Sequence, residues 1–553
     1  MDLVKVPLNQ ARIGINQIFV GKEPWHIVTI TTSSVLLLSW LYRFLCDDDS
    51  LVERGKRTFF DLLQLIPSVR KEIDSKKKEV LEAFRNDHRE RTKKLSYLRG
   101  LPKKGLKTEE ILSLLEENLK LGDYNWRDGL VSGSVYYFDP KWQKLLTKVY
   151  ESTFFTNPLH CDVFPGVCKM ETEVIRMAAD LFHGDTETCG TVTTGGTESI
   201  LMACKTWRDF MRKTKGIKKP EMVVPRTIHS AFDKAAQYFC IKIKYVPVDP
   251  ITCKVDLKLM EKAITKNTVM LGGSAPNFPY GTMDDIEGIS KLGLKYNIPV
   301  HVDSCLGGFL TVFMEEAGYS IPPYDFKLPG VSSISADTHK YAFTPKGSSV
   351  VLYRNKEFRH YQYTVTTDWP GGVYGSPAVN GSRAGANITT CWATLLYFGT
   401  DGYIQATRDI LSTTKFIEER LRQVEGLFIF GQPVTSVVAF GSKIFEIYRL
   451  ATDMKKLGWN LNTLQFPSGV HLAVTHLHTQ PGVAEKFISD VENIVRELMK
   501  KPEKPVEGGL ALYGAAQIVP DRSLVGEFIN YYIDAMYYHP CEDEEEKCNN
   551  STT

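Results

Sequence analysis

Between about Ser152 and Gly399, short apolar runs alternate with amphipathic stretches, and this alternation limits the possible fold more than any other feature of the chain. The apolar runs are Met222–Pro225, Ile241–Val248, Val269–Ser274, Pro299–Asp303, Val331–Ser335 and Ser349–Tyr353. Between several of them lie helical patterns such as Glu198–Lys213, Ala231–Phe239 and Leu257–Thr265. Strands that are apolar on both faces need cover on both faces, which a largely parallel sheet flanked by helices provides. The expected architecture is α/β, with a large domain over 151–400. A smaller α/β lobe over 401–540 would hold a long helix, a few strands and a last helix near Val483–Met499. The tail from Cys541 (CEDEEEKCNNSTT) is acidic and lacks large apolar residues, a composition expected to be disordered.

The N-terminus reads differently. From Pro24 to Tyr42 no side chain carries a formal charge apart from His26 when protonated, and Ile27–Leu41 (IVTITTSSVLLLSWL) is apolar or hydroxylated. Nineteen such residues sit at the short end of what spans a hydrocarbon core of roughly 30 Å. Trp25, Trp40 and Tyr42 lie near the two ends, where aromatic rings favour the interface. Asp2 and the long lead argue against a cleaved signal. A single membrane span over about 24–42 is expected, with a buried or interfacial helix as the alternative, because Thr29, Thr31, Thr32, Ser33 and Ser34 dilute the run. Basic residues are more frequent after it than before it, a small bias toward a cytosolic C-terminal side. Residues 51–150 read as a helical linker and N-terminal segment. Its charged part, Leu51–Lys94, is read as a solvated helix face or, alternatively, a basic surface near anionic lipid. A short helix, Thr108–Lys120, follows the break at Pro102–Gly105.

Lys and Arg (67) nearly cancel Asp and Glu (65), so no global field argues for nucleic acid. Eleven cysteines without a CxxC pair fit free thiols, and no metal-like cluster is visible. Sequons at Asn380, Asn387, Asn549 and Asn550 matter only for a chain segment inside the secretory lumen.

Four motifs carry chemistry. In SADTHKYAFTPKG (335–347), Lys340 lies just past a strand end, where active-site groups of α/β sheets collect. A lysine amine serves Schiff-base chemistry because burial and neighbouring positive charge depress its pKa, and His339 could help neutralise a phosphate. In HVDSCLGG (301–308), Asp303 ends an apolar strand, an expensive place for a carboxylate without a partner. Its separation from Lys340, 37 positions, leaves room for one helical excursion and a return strand. In TTGGTES (193–199), glycines and Thr precede a helix with Ile200, Leu201, Cys204, Trp207 and Met211 on one face, a phosphate cradle of exposed N–H groups. No GK[ST] follows, so a nucleoside-triphosphate loop is disfavoured. Finally, His229 in PRTIHSAF could stack on a planar ring, or simply cap a helix.

In this order, the four motifs resemble the group II decarboxylase branch of fold-type I pyridoxal-phosphate enzymes, and within it the sphingosine-1-phosphate lyase family. The resemblance covers about Leu51 to Ile518. It is carried by VSGSVY (131–136), NPLHCDVFPG (157–166), TGGTESILMACK (194–205), HVDSCLGGFL (301–310), ISADTHKY (334–341), PKGSSVVLYR (345–354) and DWPGGVYGSP (368–377). It implies that Lys340 holds pyridoxal 5'-phosphate, that Asp303 pairs with the ring nitrogen, and that His229 stacks on the ring. It further implies that Gly195, Gly196 and Thr197 cradle the cofactor phosphate, with Gly381 and Ser382 approaching from the partner subunit of a homodimer. Tyr136, Asn157, His160 and Lys346 would bind the substrate's phosphate, and Tyr374 would lie near the reacting carbons. Ser304 stands where Ala is usual, Cys161 where Pro is frequent and Phe343 where Tyr is common.

The resemblance therefore implies retro-aldol cleavage of a phosphorylated sphingoid base to a fatty aldehyde and phosphoethanolamine. The catalytic part would be cytosolic on a single-pass anchor in the endoplasmic reticulum membrane. Lys340, His160 and Tyr374 all remain candidates for the base. The alternative is an amino-acid decarboxylase, which would use the same Lys, Asp and His.

Overall fold

The computed structural model describes residues 13–14, 16–46, 51–93, 95–122, 124–506 and 522–541. The sequons at Asn549 and Asn550, and the acidic tail after Cys541, lie outside the described residues. The chain forms two compact units, 1–121 with 515–553, and 122–514.

The first unit is helical. Pro24–Cys46 forms one continuous helix, and Pro24–Tyr42 within it is long and apolar enough to cross a membrane. Val35, Leu36, Leu37 and Leu38 on it are all exposed, so the alternative of a buried helix has no support within this unit. The charged stretch folds as two helices, Leu51–Gln64 and Pro67–Thr92, separated where Pro67 starts the second. The second helix is not solvated all round, because Arg522–Met536 packs along it. Phe84 meets the edge of Tyr532 at 5.3 Å, the Arg89 guanidinium lies 4.9 Å over the Tyr538 ring, and Lys77 pairs with Glu527. Arg522–Met536 falls within the segment expected to join the C-terminal lobe; here it packs on the N-terminal helices instead.

The second unit is built on a seven-stranded sheet. Its strands are β1 (Cys189–Thr193), β2 (Glu221–Pro225), β3 (Lys242–Val246), β4 (Thr268–Ser274), β5 (Val300–Asp303), β6 (Val331–Ala336) and β7 (Ser349–Tyr353). Their spatial order is β1-β7-β6-β5-β4-β2-β3, and only β7 runs against its neighbours. The six apolar runs in the sequence match β2 to β7 within a few residues. β1 (CGTVT) escaped notice because five short, small residues give no distinctive period. All six parallel strands end at one edge, so the residues following β1, β2, β5 and β6 converge there.

Helix Gly196–Lys215 crosses one sheet face with Ile200, Leu201, Cys204, Trp207 and Met211 buried, and the Trp207 indole N–H donates to Ser333 Oγ at 2.9 Å. Helix Gly385–Gln423 packs against Pro140–Thr153 and Pro165–Leu181. It passes through residue 400, where the domain boundary was expected, and loses helical geometry at Gly399, whose φ is +55°. The hairpin β8 (Thr364–Thr366) and β9 (Tyr374–Ser376) precedes it, and beyond it comes a four-stranded antiparallel sheet of β10 (Phe428–Ile429), β11 (Val437–Gly441), β12 (Asn462–Leu464) and β13 (Gly469–Ala473). Helices Ile447–Lys456 and Val483–Leu498 accompany it.

Candidate active site

Lys340 sits in the turn that joins β6 to β7. His339 N donates to Ser348 O at 3.2 Å and Lys340 N to Asp337 O at 3.3 Å, closing the turn right after the strand end. Tyr341 anchors it beyond, its hydroxyl donating to Val474 O at 2.7 Å. The Lys340 amine points back to the Asp337 carboxylate, with Nζ 2.8 Å from Oδ2. Burial pulls the Lys340 ammonium down, but the Asp337 charge outweighs it and holds the amine above its ordinary value. Asp337 is almost fully buried; burial raises its carboxyl, yet Lys340 and then His339 hold it below the usual carboxylate range.

The Gly-rich turn arrives from β1 on the same side. A Cβ on Gly196 would stand 2.7 Å from Asp337 Oδ1, 2.8 Å from Oδ2 and 2.9 Å from Cys305 Sγ, so only glycine lets the helix start this close. At Gly195 the added atom would meet His339 Cε1 at 3.5 Å. No side chain caps the helix that Gly196 begins, which leaves its first N–H groups available to an anion. Glu198 ties the turn down, accepting from Thr194 N at 2.7 Å and Thr194 Oγ1 at 2.6 Å, while its other oxygen accepts from Val379 N at 2.9 Å. Thr197 is exposed beside it. His339 is oriented by its Nδ1–Ser348 O contact of 2.6 Å, with Nε2 3.6 Å from Asp337.

Asp303 ends β5, and its Oδ1 accepts from Cys305 N at 3.1 Å. Ser304, the departure from the usual Ala, satisfies its hydroxyl on Ala275 O at 2.6 Å. His229 follows β2, and its Nδ1 accepts from Ala231 N at 3.1 Å, so the ring caps helix Ala231–Phe239 and is thereby fixed. Tyr136 is buried against the edge of Tyr341 at 4.8 Å, with Lys346 Nζ 5.0 Å over its own ring. Desolvation first, and the charge of Lys340 second, pull the Lys346 ammonium down to about 8. Phe343 packs among Tyr137, Phe398 and Tyr403, filling the position of the usual Tyr with carbon contacts alone.

The remaining expected residues form a second cluster. The Tyr374 hydroxyl lies 2.5 Å from where a Gly381 Cβ would stand, and Ser382 is exposed next to it. Asn157 Oδ1 accepts from Leu159 N and Arg383 N, both at 3.1 Å, which joins the 157–166 loop to this segment; His160 is exposed on that loop. Among the described residues no hydrogen bond, ion pair or ring contact joins these side chains to that of Lys340.

Asp337 and Glu198 were not singled out in the sequence, although Asp337 offered the same signal as Asp303, a carboxylate at the end of an apolar strand. The whole arrangement fits a phosphorylated aldehyde cofactor. It offers a lysine amine, an uncapped helix start and a buried carboxylate at the end of β5.

Residues 94–443 match the pyridoxal-dependent decarboxylase conserved domain. The sphingosine-1-phosphate lyase of Drosophila melanogaster is 56% identical over 529 residues, covering 96% of this chain and 97% of that protein. Sphingosine-1-phosphate lyase 1 of Mus musculus is 43% identical over 539 residues, covering 97% and 94%. The solved sphingosine-1-phosphate lyase of Burkholderia pseudomallei superposes with a TM-score of 0.72 at 39% identity, covering 74% of this chain and 95% of that one. A Lactobacillus brevis glutamate decarboxylase shares the fold, with a TM-score of 0.64 at 21% identity. The chain belongs to the pyridoxal-dependent decarboxylase family and, within it, to the sphingosine-1-phosphate lyases.

Proposed function

We propose that this chain cleaves the C2–C3 bond of phosphorylated sphingoid bases, releasing a long-chain aldehyde and phosphoethanolamine. The observation that carries this reading is the convergence of the Lys340 amine, the Gly195–Gly196 turn and the Lys346–Tyr136 pair at one edge of the sheet. The first two suit a phosphorylated aldehyde cofactor. The third offers a cation over an aromatic ring for a second phosphate, that of the substrate.

Pyridoxal phosphate, when bound, supplies an electron sink for the pair released as the C2–C3 bond breaks. Lys340 would hold it through its amine, Asp303 would keep the ring nitrogen protonated, and His229, fixed by its cap, would lie against the ring face. Gly195, Gly196, Thr197 and His339 would receive its phosphate. Lys346 and Tyr136, with Asn157 and His160, would bind the phosphate of the substrate. A base, drawn from Lys340, His160 or Tyr374, takes the proton of the C3 hydroxyl; the C3 carbonyl forms, and C2 regains a proton before release. Gly381 and Ser382 stand in the second cluster of this chain, which supports a homodimer in which each chain lends them to its partner's site. The exposed apolar helix Pro24–Tyr42 supports a single membrane span, and the membrane is where both the lipid substrate and the aldehyde partition; the resemblance to the lyase family makes that membrane the endoplasmic reticulum's, with the catalytic unit cytosolic.

The test is aldehyde release from a phosphorylated C18 sphingoid base by the full chain in detergent, beside Lys340→Ala. Aldehyde and phosphoethanolamine in equal amounts, absent from the variant, are expected. Carbon dioxide release from amino acids without aldehyde would replace this reading with a decarboxylase.

A further inference from the structure

Three donors converge on one buried carboxylate beside the Gly-rich turn, and the mechanism above gives that carboxylate no task. Glu198 lies in the first turn of the helix that Gly196 begins and is 7% exposed. One of its oxygens accepts from Thr194 N at 2.7 Å and Thr194 Oγ1 at 2.6 Å, the other from Val379 N at 2.9 Å. The first two bonds fix the residue before Gly195. The third reaches 181 positions along the chain, to a residue just before Gly381. All three donors are neutral, so a charge is buried beside the place of a phosphate, which costs stability unless its acceptors are needed there.

We propose that Glu198 is a positioning residue for two cofactor phosphates at once. Through Thr194 it sets the Gly195–Thr197 turn of its own chain's site, and through Val379 it sets Gly381 and Ser382, the pair lent to the partner's site. This rests on the cofactor and homodimer readings above. Accepting on both sides takes both oxygens of a carboxylate. An amide keeps one acceptor and turns a donor to the other side, so it serves Thr194 or Val379 and not both.

The lent segment has other tethers, but none does the work of Val379. Gln362 Nε2 donates to Pro377 O, further back. On the far side Arg383 N donates to Asn157 Oδ1 at 3.1 Å, and Arg383 Nη2 lies 2.9 Å from Glu171 Oε2. The bonds of the Ser376 hydroxyl to Ala378 O and Asn380 O stay within the segment and move with it. The Val379 N–H is thus the last outside tether before Gly381. A purely electrostatic role has the opposite sign: as a charge alone, Glu198 repels the phosphate, and its removal would tighten binding.

The experiment is an absorbance titration of cofactor-stripped full-length protein in detergent, with pyridoxal phosphate and with pyridoxal, on wild type, Glu198→Gln and Val379→Pro. Val379 is exposed, so the proline removes its N–H without disturbing the core. Each variant binds pyridoxal phosphate about tenfold more weakly, the worth of one hydrogen bond to a charged group, and binds pyridoxal within twofold of wild type. Unchanged or tighter pyridoxal phosphate in Glu198→Gln overturns the proposal. So does an equal loss for pyridoxal, which marks a merely structural role. Hybrid dimers, purified through two tags, need no Glu198 variant. Lys340→Ala in one chain leaves the band of lysine-bound cofactor to report the other chain's site. Val379→Pro placed on the Lys340→Ala chain weakens that reporting site about tenfold, and placed on the reporting chain leaves it as in wild type. The reverse order, or no difference between the hybrids, overturns the proposal. A monomer by light scattering removes the homodimer reading and the proposal with it, whereas wild type that prefers pyridoxal phosphate no more than pyridoxal indicts the cofactor site itself.

Discussion

Gly196→Ala tests the close approach on which the site depends. The added methyl would stand 2.7 and 2.8 Å from the two Asp337 oxygens and 2.9 Å from Cys305 Sγ. Ordinary contact begins at 3.4 Å, so the carboxylate must retreat from 2.7 Å by about 0.7 Å. It is not free to do so, being almost fully buried and paired with Lys340. Overpacking of this kind costs about 1–3 kcal/mol. In a unit this large such a cost moves the thermal midpoint by only a few degrees. Cofactor affinity is the sharper readout, because the helix start and the Lys340 partner move together. If the cost falls mainly on the bound state, pyridoxal phosphate binds roughly 5- to 150-fold more weakly, at 1.4 kcal/mol per factor of ten. The assay is an absorbance titration of cofactor-stripped protein, with Gly166→Ala as control, since a Cβ at Gly166 meets nothing within 4 Å. An alanine variant that binds within twofold of wild type would refute the reasoning that the cofactor needs the close packing of Gly196 on Asp337.

Three further outcomes are expected. Because the Lys346 ammonium is pulled down to about 8, it is charged below that pH and neutral above it, so KM for the phosphorylated substrate rises above pH 8 in wild type; Lys346→Arg, which stays charged, removes that inflection. Burial holds His301 at about 3 and His471 and His478 at about 4. Their neutral forms match the unfolded state above about pH 6.5. Below it the unfolded chain gains protons that the folded one refuses, so stability falls by about 1.4 kcal/mol per histidine per pH unit until the folded values are reached; urea unfolding between pH 7 and 5 measures it, and an unchanged midpoint would count against these burials. Deleting residues 1–46 should move the protein from the membrane pellet to the supernatant, and a deleted form that still sediments with membranes would assign the attachment elsewhere.

Much of the candidate site's layout was legible in the sequence because each motif is local. A strand end followed by a lysine, a carboxylate closing an apolar strand, and glycines before an amphipathic helix are each set within about ten residues by backbone geometry. The strands β2 to β7 were legible for the same reason, their apolar runs being too short for helices and too continuous for surface. Tertiary structure decided the rest. Asp337 closes an apolar strand as Asp303 does, but only folding sets it between Lys340 and Gly196. Glu198 looks like an ordinary first-turn acid until Val379, far along the chain, donates to it. The charged helix Pro67–Thr92 reads as solvated until Arg522–Met536 arrives from the other end of the chain to cover it. In each case a deciding partner (Gly196, Val379 or the Arg522–Met536 helix) lies outside any sequence window, and burial of a charge is a property of the packed neighbours rather than of the residue itself.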